Sequence, residues 1–197
     1  RDGLILNHDG YYTWGTTNTY AQYQYTDQTS KSGTPVANES TVYVVESKAI
    51  MPFDFNTLGS VMLTTGAQYQ WEGFRNDSGT AATNIHMGQT LDQNIIAPYA
   101  EAEYSITENL ILTGGLRYTY SDLFEGEFIP RGYLVYHLTD WVTLKGGVAK
   151  GYKTPQAKQL GDGVYRVDGG DIHGNSKLNP ETSTNYEIGA IFDFWDY

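Results

Sequence analysis

Arg117, Arg131 and Lys145 fall on three successive stretches of alternating sequence, and each takes the polar phase of its stretch. Glu46, Lys48, Glu101, Glu103 and Glu187 hold the same phase on theirs. Guanidinium and ammonium groups in such a row can bind an anion or pair with carboxylates. No nucleophile constellation of the kind that makes or breaks a covalent bond is found in the chain. There is no G-x-S-x-G elbow, no phosphate loop and no H-E-x-x-H pair, and His8, His86, His137 and His173 are scattered. Cysteine is absent, which excludes thiolate metal sites, thiol nucleophiles and disulfides together. The segment Gly161 to Asn175 carries Asp162, Asp168 and Asp171, but without the spacing of an EF-hand, and reads as an exposed loop. No catalytic residue, metal site or cofactor is expected, and the chain is not expected to be an enzyme. A formal charge of -11, from 12 basic and 23 acidic residues, disfavours nucleic acid as a partner.

The elements that must position these charges are strands. Leu110, Leu112, Gly114, Leu116, Tyr118 and Tyr120 share one phase, and Ile111, Thr113, Gly115, Arg117, Thr119 and Ser121 the other. This is the period of two of a strand with unlike faces. Val142, Leu144, Gly146 and Val148 repeat it against Thr143, Lys145, Gly147 and Ala149. The same pattern predicts strands over Gly3 to Thr13, Thr17 to Gln28, Thr41 to Met51, from about Val61 to Glu72, from about Ile96 to Tyr104, and Glu181 to about Asp193. About nine strands of roughly 10 to 13 residues are expected, longer than the usual strand of a soluble sheet. Short turns near Gly15, Phe53, Thr107 and Asp140 alternate with connections over Thr29 to Ser40, Gly73 to Thr90, Leu123 to Gly126 and Lys153 to Pro180. That is an up-and-down meander with one short-turn end.

The apolar phase needs a partner, and the aromatics indicate lipid. Trp14, Phe53, Phe55, Trp141 and Trp195 fall at the short turns, and Tyr23, Tyr25, Tyr69, Trp71, Tyr118 and Tyr120 near the opposite ends. Amphipathic rings favour headgroup depth, so these form two girdles. A mean hydropathy of -0.45 is compatible with a membrane barrel, because polar lumen residues dilute the apolar ones. No run approaches the ~18 apolar residues of a membrane helix, and Arg1 opens without the features of a signal peptide. A soluble β-sandwich is the alternative for strands rich in Tyr. About nine is an odd count where bacterial single-chain barrels are even, and open edges in lipid leave backbone groups unpaired. The expectation is therefore an all-β, antiparallel up-and-down transmembrane β-barrel segment, with residues 1–197 forming a contiguous part of a larger barrel.

Three stretches resemble a known family: GGLRYTYS, then FIPRGYLVYHLTDWVTLKGGVAKGYKTPQ, then N-x-x-L-N-P-E-T-S-x-x-x-E-x-G from Asn175 to Gly189. They are similar to the barrel of TonB-dependent outer-membrane receptors, most of all the catecholate siderophore and colicin I receptor group. The likeness is specific over Leu110 to Gly189 and weaker before it. Asn179 departs from the Lys or Arg usual there. The resemblance implies a plugged barrel of about 22 strands in the outer membrane of a Gram-negative bacterium, which imports ferric siderophore with energy passed by TonB. Plug and closing strands have no counterpart in this chain. Expected partners are ferric siderophore, outer-membrane lipid and TonB through the plug, with loops that colicins or phages could exploit. In that setting Arg131 and Arg117 are the candidates for an anionic ligand, and Lys145, Glu101, Glu103 and Glu187 for contact with the plug. A diffusion porin without a plug is the alternative function; a barrel esterase or protease lacks its nucleophile.

Overall fold

A computed structural model describes residues 1–30, 36–77, 88–161, 163–167 and 170–194. Trp195, Asp162, Asp168 and His86 lie outside them. In chain order the elements are β1 (Asp2–Tyr12), β2 (Gly15–Ser30), β3 (Val36–Asp54), a 3-10 turn (Asn56–Leu58), β4 (Ser60–Asn76), β5 (Thr90–Thr107), β6 (Leu110–Ser121), β7 (Glu127–Thr139), β8 (Val142–Lys153), α1 (Ala157–Leu160), β9 (Gly163–Val167), β10 (Gly170–Gly174) and β11 (Glu181–Phe192). Nine of the strands form one antiparallel sheet in the order β1-β2-β3-β4-β5-β6-β7-β8-β11, each beside its sequence neighbour, and β9 and β10 form a separate hairpin.

Register partners share a face because side chains alternate across a strand. Leu112, Leu134, Gly146 and Ile188 are successive partners across β6, β7, β8 and β11. Glu103, Thr113, Tyr133, Gly147 and Glu187 form a rung on the opposite face. The two phases of the sequence are thus two continuous surfaces. Leu112 is 44% exposed, Leu116 48%, Leu144 40% and Ile188, on the open edge strand, 93%. Among the described residues the buried apolar side chains are only Val44, Phe74, Ala97, Val142 and Ala157. A soluble sandwich would bury its leucines between two layers. Here they stand outward across a whole sheet, the surface a bilayer covers.

Aromatic belts bound this surface. At the short-turn end Tyr12 stacks on Trp14 with centroids 5.0 Å apart, Phe53 lies 6.5 Å from Phe55, and Trp141 lies 6.2 Å from Phe194. At the other end Tyr23, Tyr43 and Trp71 make a run with spacings of 5.1 and 5.5 Å, and Tyr118 packs on Phe128 at 4.8 Å. Their polar edges find partners: Tyr69 Oη donates to Asn94 Oδ1 at 2.7 Å, and Tyr104 Oη to the Leu58 carbonyl at 2.6 Å. The ten steps from Val61 to Trp71 on β4, at about 3.3 Å each, run about 33 Å along the strand. A tilt of about 40° reduces this to about 25 Å, the height of the apolar band of membrane barrels.

The strands are longer than their sequence signal. Those of the large sheet run from 11 residues in β1 to 19 in β3, and β3, β4 and β5 take in residues read above as loop: Val36 to Ser40, Gly73 to Asn76 and Thr90. The Pro52 to Asp54 part of one predicted turn is also strand. Beyond the lipid band the buried side chains of β3 and β4 include polar Asn38 and Asn76 as well as Phe74, so the apolar–polar contrast that reveals a strand disappears while its hydrogen bonds continue. The connection Lys153 to Pro180, read as irregular, contains α1 and the β9–β10 hairpin.

Candidate functional site

The polar face is organised by glycines. Gly115 on β6 lies in register between Glu101 on β5 and Arg131 on β7. Gly147 on β8 lies likewise between Tyr133 on β7 and Glu187 on β11. Gly66 on β4 faces Tyr99 on β5 and Lys48 on β3. In each case a long side chain crosses over the glycine to a carboxylate two strands away. Tyr99 Oη donates to Glu46 Oε1 at 2.6 Å, Tyr133 Oη to Glu187 Oε1 at 3.2 Å, and Arg131 forms an ion pair with Glu101. A Cβ at position 66 would lie 2.8 Å from Tyr99 Cζ, and one at position 147 would lie 2.2 Å from Tyr133 Cδ2. Any other residue at these two positions would lift the ring off the wall. Interior glycine weakens a strand, and it is found where something approaches closely.

A second layer of bonds joins five strands. Gln68 Nε2 donates to Glu46 Oε2 at 3.2 Å and to Tyr20 Oη at 3.3 Å, and Gln68 Oε1 accepts from Arg117 Nη2 at 2.7 Å. Arg117 Nε also donates to Thr119 Oγ1 at 3.3 Å, and its guanidinium carbon stands 5.8 Å from the centre of the Tyr99 ring. Its planar fork is therefore fixed from several directions. Arg131 has Glu101 alone among the described residues, and its side chain is 60% exposed. Lys145 stands 3.6 Å from Glu187, the carboxylate that Tyr133 also uses. Glu103 and Lys48 have no partner on the wall among the described residues.

The structure thus brings the candidate charges onto one surface and divides them: Glu101 with Arg131, Glu187 with Lys145, and Arg117 held in the Tyr99–Gln68 network. Around Arg117 and Arg131 an open depression of about 450 Å³ is lined by Glu46, Lys48, Tyr99, Glu101 and Lys150 among others. Lys48, Arg117, Arg131 and Lys150 stand against Glu46 and Glu101 in its lining, with Glu127 offsetting Lys150, so its field is positive. Lys150 escaped the sequence reading because counting by twos from Val148 puts it on the apolar side. The β7–β8 ladder ends at Arg131 opposite Ala149, and past that point Lys150 pairs with Glu127. Tyr20, Gln68, Tyr99 and Tyr133 were also missed. The available signal was a glycine in the polar phase beside a long polar residue.

The connection after β8 folds over the upper part of this face. The Ala157 amide donates to Glu72 Oε1 at 2.8 Å, and Ala157 packs with Phe74 and Leu91. Fully buried Gln93, with its amide oriented to suit its neighbours, donates to the Pro155 carbonyl at 3.1 Å and accepts from Ser121 Oγ at 2.8 Å. No cluster of three or more metal-ligating side chains occurs among the described residues.

All of residues 1–197 match the family model described as TonB dependent receptor-like, beta-barrel. The chain is 30% identical, over 98% of its length, to the iron-regulated outer membrane virulence protein of Vibrio cholerae, of which it spans 28%. It is 29% identical, over 77% of its length, to the ferrienterobactin receptor of Escherichia coli, of which it spans 24%. The crystal structure of the siderophore receptor PirA from Pseudomonas aeruginosa superposes with a TM-score of 0.83, covering 97% of this chain and 35% of that one, at 25% identity.

Proposed function

This chain belongs to the TonB-dependent receptor-like β-barrel family, and from that premise we propose that it is one contiguous part of the wall of a transporter that imports ferric siderophores of the catecholate type. The transporter sits in the outer membrane of a Gram-negative bacterium. The open edges of β1 and β11 are continued by further strands toward a closed barrel of about 22, and the lumen holds a plug through which TonB acts. The observation that carries this reading is the sheet with two chemistries: an apolar band about 25 Å high between aromatic belts, backed by a wall of ion pairs and tyrosine–carboxylate bonds.

The catecholate assignment draws on charge. A ferric tris-catecholate is an anion, and the depression around Arg117 and Arg131 gathers cations. The Escherichia coli relative is named for ferrienterobactin. Arg131 and Arg117 contact the anion on its way, while Lys145, Glu101, Glu103 and Glu187 face the plug, Glu103 having no partner on the wall. The test is uptake of radiolabelled iron by a siderophore-receptor-deficient strain carrying the full-length gene. Energy-dependent uptake of ferric tris-catecholate and not of ferric hydroxamate is the expected result. Uptake of hydroxamate alone overturns the substrate class, and uncoupled passage of small sugars overturns transport in favour of a porin.

A further inference from the structure

Three donors on this wall lie over a glycine to reach a carboxylate, and one of them differs from the others. Tyr99 and Tyr133 are neutral and stay bonded where they are. Arg131 carries a charge, and its guanidinium reaches a single carboxylate among the described residues, through both Nε and Nη2 to Glu101 Oε2. Beneath it a Cβ at position 115 would lie 3.0 Å from Glu101 Oε2, 3.1 Å from Arg131 Cγ and 3.2 Å from Arg131 Nε. The pair therefore lies close over Gly115, where any side chain would press it outward by a few tenths of an ångström. Exposed ion pairs are held weakly, and 60% of the Arg131 side chain is open to the lumen while Glu101 is 25% exposed. Arg117, bonded to Gln68 and Thr119 and lying over Tyr99, has no comparable freedom.

We propose that Glu101 is a positioning residue that parks Arg131 against the wall over Gly115, and that a passing anionic ferric complex draws the guanidinium off Glu101 into the lumen. This rests on the transport reading above. The parked form leaves the lumen clear and sets the Arg131 charge against Glu101. The released form supplies a cation where Lys48, Arg117 and Lys150 already line the depression. Glu101 thus competes with the ligand for one guanidinium, and its removal favours the ligand.

The experiment measures initial uptake of ferric tris-catecholate against its concentration in cells expressing the full-length receptor, as wild type, Glu101→Gln, Arg131→Ala, the double variant and Glu103→Gln. Heat-modifiable migration on gels measures the folded amount of each. Expected is a two- to five-fold lower half-saturation concentration for Glu101→Gln, the range an exposed ion pair provides, with maximal rate and folded amount unchanged. Arg131→Ala raises the half-saturation concentration, the double variant matches Arg131→Ala, and Glu103→Gln, whose carboxylate faces the plug and holds no guanidinium, does not lower it. A brace that only holds the wall together gives the opposite sign for Glu101→Gln, or a loss of folded protein, and either overturns the proposal. So does an equal gain in Glu103→Gln, which reports the general field of the lumen. A wild-type receptor that takes up no ferric catecholate overturns the transport reading itself, and this inference with it.

Discussion

Replacing Gly66 by alanine puts a methyl group under Tyr99. The added Cβ would lie 2.8 Å from both Tyr99 Cζ and Oη and 2.7 Å from the Ser47 carbonyl oxygen. The ring must rise, and with it go the 2.6 Å bond to Glu46 and the stacking against Arg117. A hydrogen bond to a charged acceptor contributes about 1.5–3 kcal/mol, and a partly exposed cation–π contact about 0.5–1 kcal/mol. Tyr99 is half-buried, so the lower end applies and the loss is about 2 kcal/mol. Two further effects are independent of the ring: the close contact with Ser47, and the gain of about 0.5–1 kcal/mol from replacing an interior glycine. A double-mutant cycle removes both. Gly66→Ala is compared in wild-type and Tyr99→Ala backgrounds of the full-length receptor, by urea unfolding in lipid vesicles followed through tryptophan fluorescence. The expected coupling is about 2 kcal/mol, with Gly66→Ala less damaging when the ring is gone. Coupling below about 0.5 kcal/mol, the usual error of additivity, would refute the claim that Gly66 exists to let Tyr99 cross it.

The apolar face gives a contrast of sides: Leu116→Arg, in the middle of the band and 48% exposed, is expected to cost about 2–4 kcal/mol in vesicle-folded protein. Thr113→Arg, on the lumen face of the same strand, should stay within about 0.5 kcal/mol, and equal costs for the two would contradict the assignment of faces. At the short-turn end Tyr104→Phe removes the bond to the Leu58 carbonyl and should lower unfolding free energy by about 1 kcal/mol. Gly59, at φ +91° with its would-be Cβ 2.2 Å from the Ser105 carbonyl oxygen, admits no side chain. Gly59→Ala should cost about 1–3 kcal/mol in backbone strain alone, seen as a lower urea midpoint, and an unchanged midpoint would show that this turn is free to rearrange.

Where the two faces meet unlike media, the strands were legible residue by residue. Leu112, Leu116 and Leu144, in the phase assigned to lipid, are exposed, and the short turns at Gly15, Thr107 and Asp140 fall where the breaks in alternation put them. Reading failed where the apolar–polar contrast was lost. Residues 36–40 and 73–76 are strand, yet their buried positions hold polar Asn38 and Asn76 beside Phe74, so they carry no apolar–polar alternation to count. α1 is four residues long and held by Glu72, 85 positions away from Ala157, a contact that no local pattern contains.

The candidate site divides in the same way. Sequence alone placed Arg117, Arg131, Lys145, Glu101, Glu103 and Glu187 on one surface, because phase is conserved through the register pairs between the bulges at the short turns and a charge cannot face hydrocarbon cheaply. It also determined that the chain is a meander of long strands with two girdles, since those follow from period and position. Which charge meets which was decided by the tertiary structure. Arg131 reaches Glu101 and Tyr133 reaches Glu187 by crossing an intervening strand, so each pairing depends on the stagger of three strands and on a glycine in the middle one. Phase fixes the face of a side chain, but reach across a neighbouring strand depends on register, and register is a property of the assembled sheet.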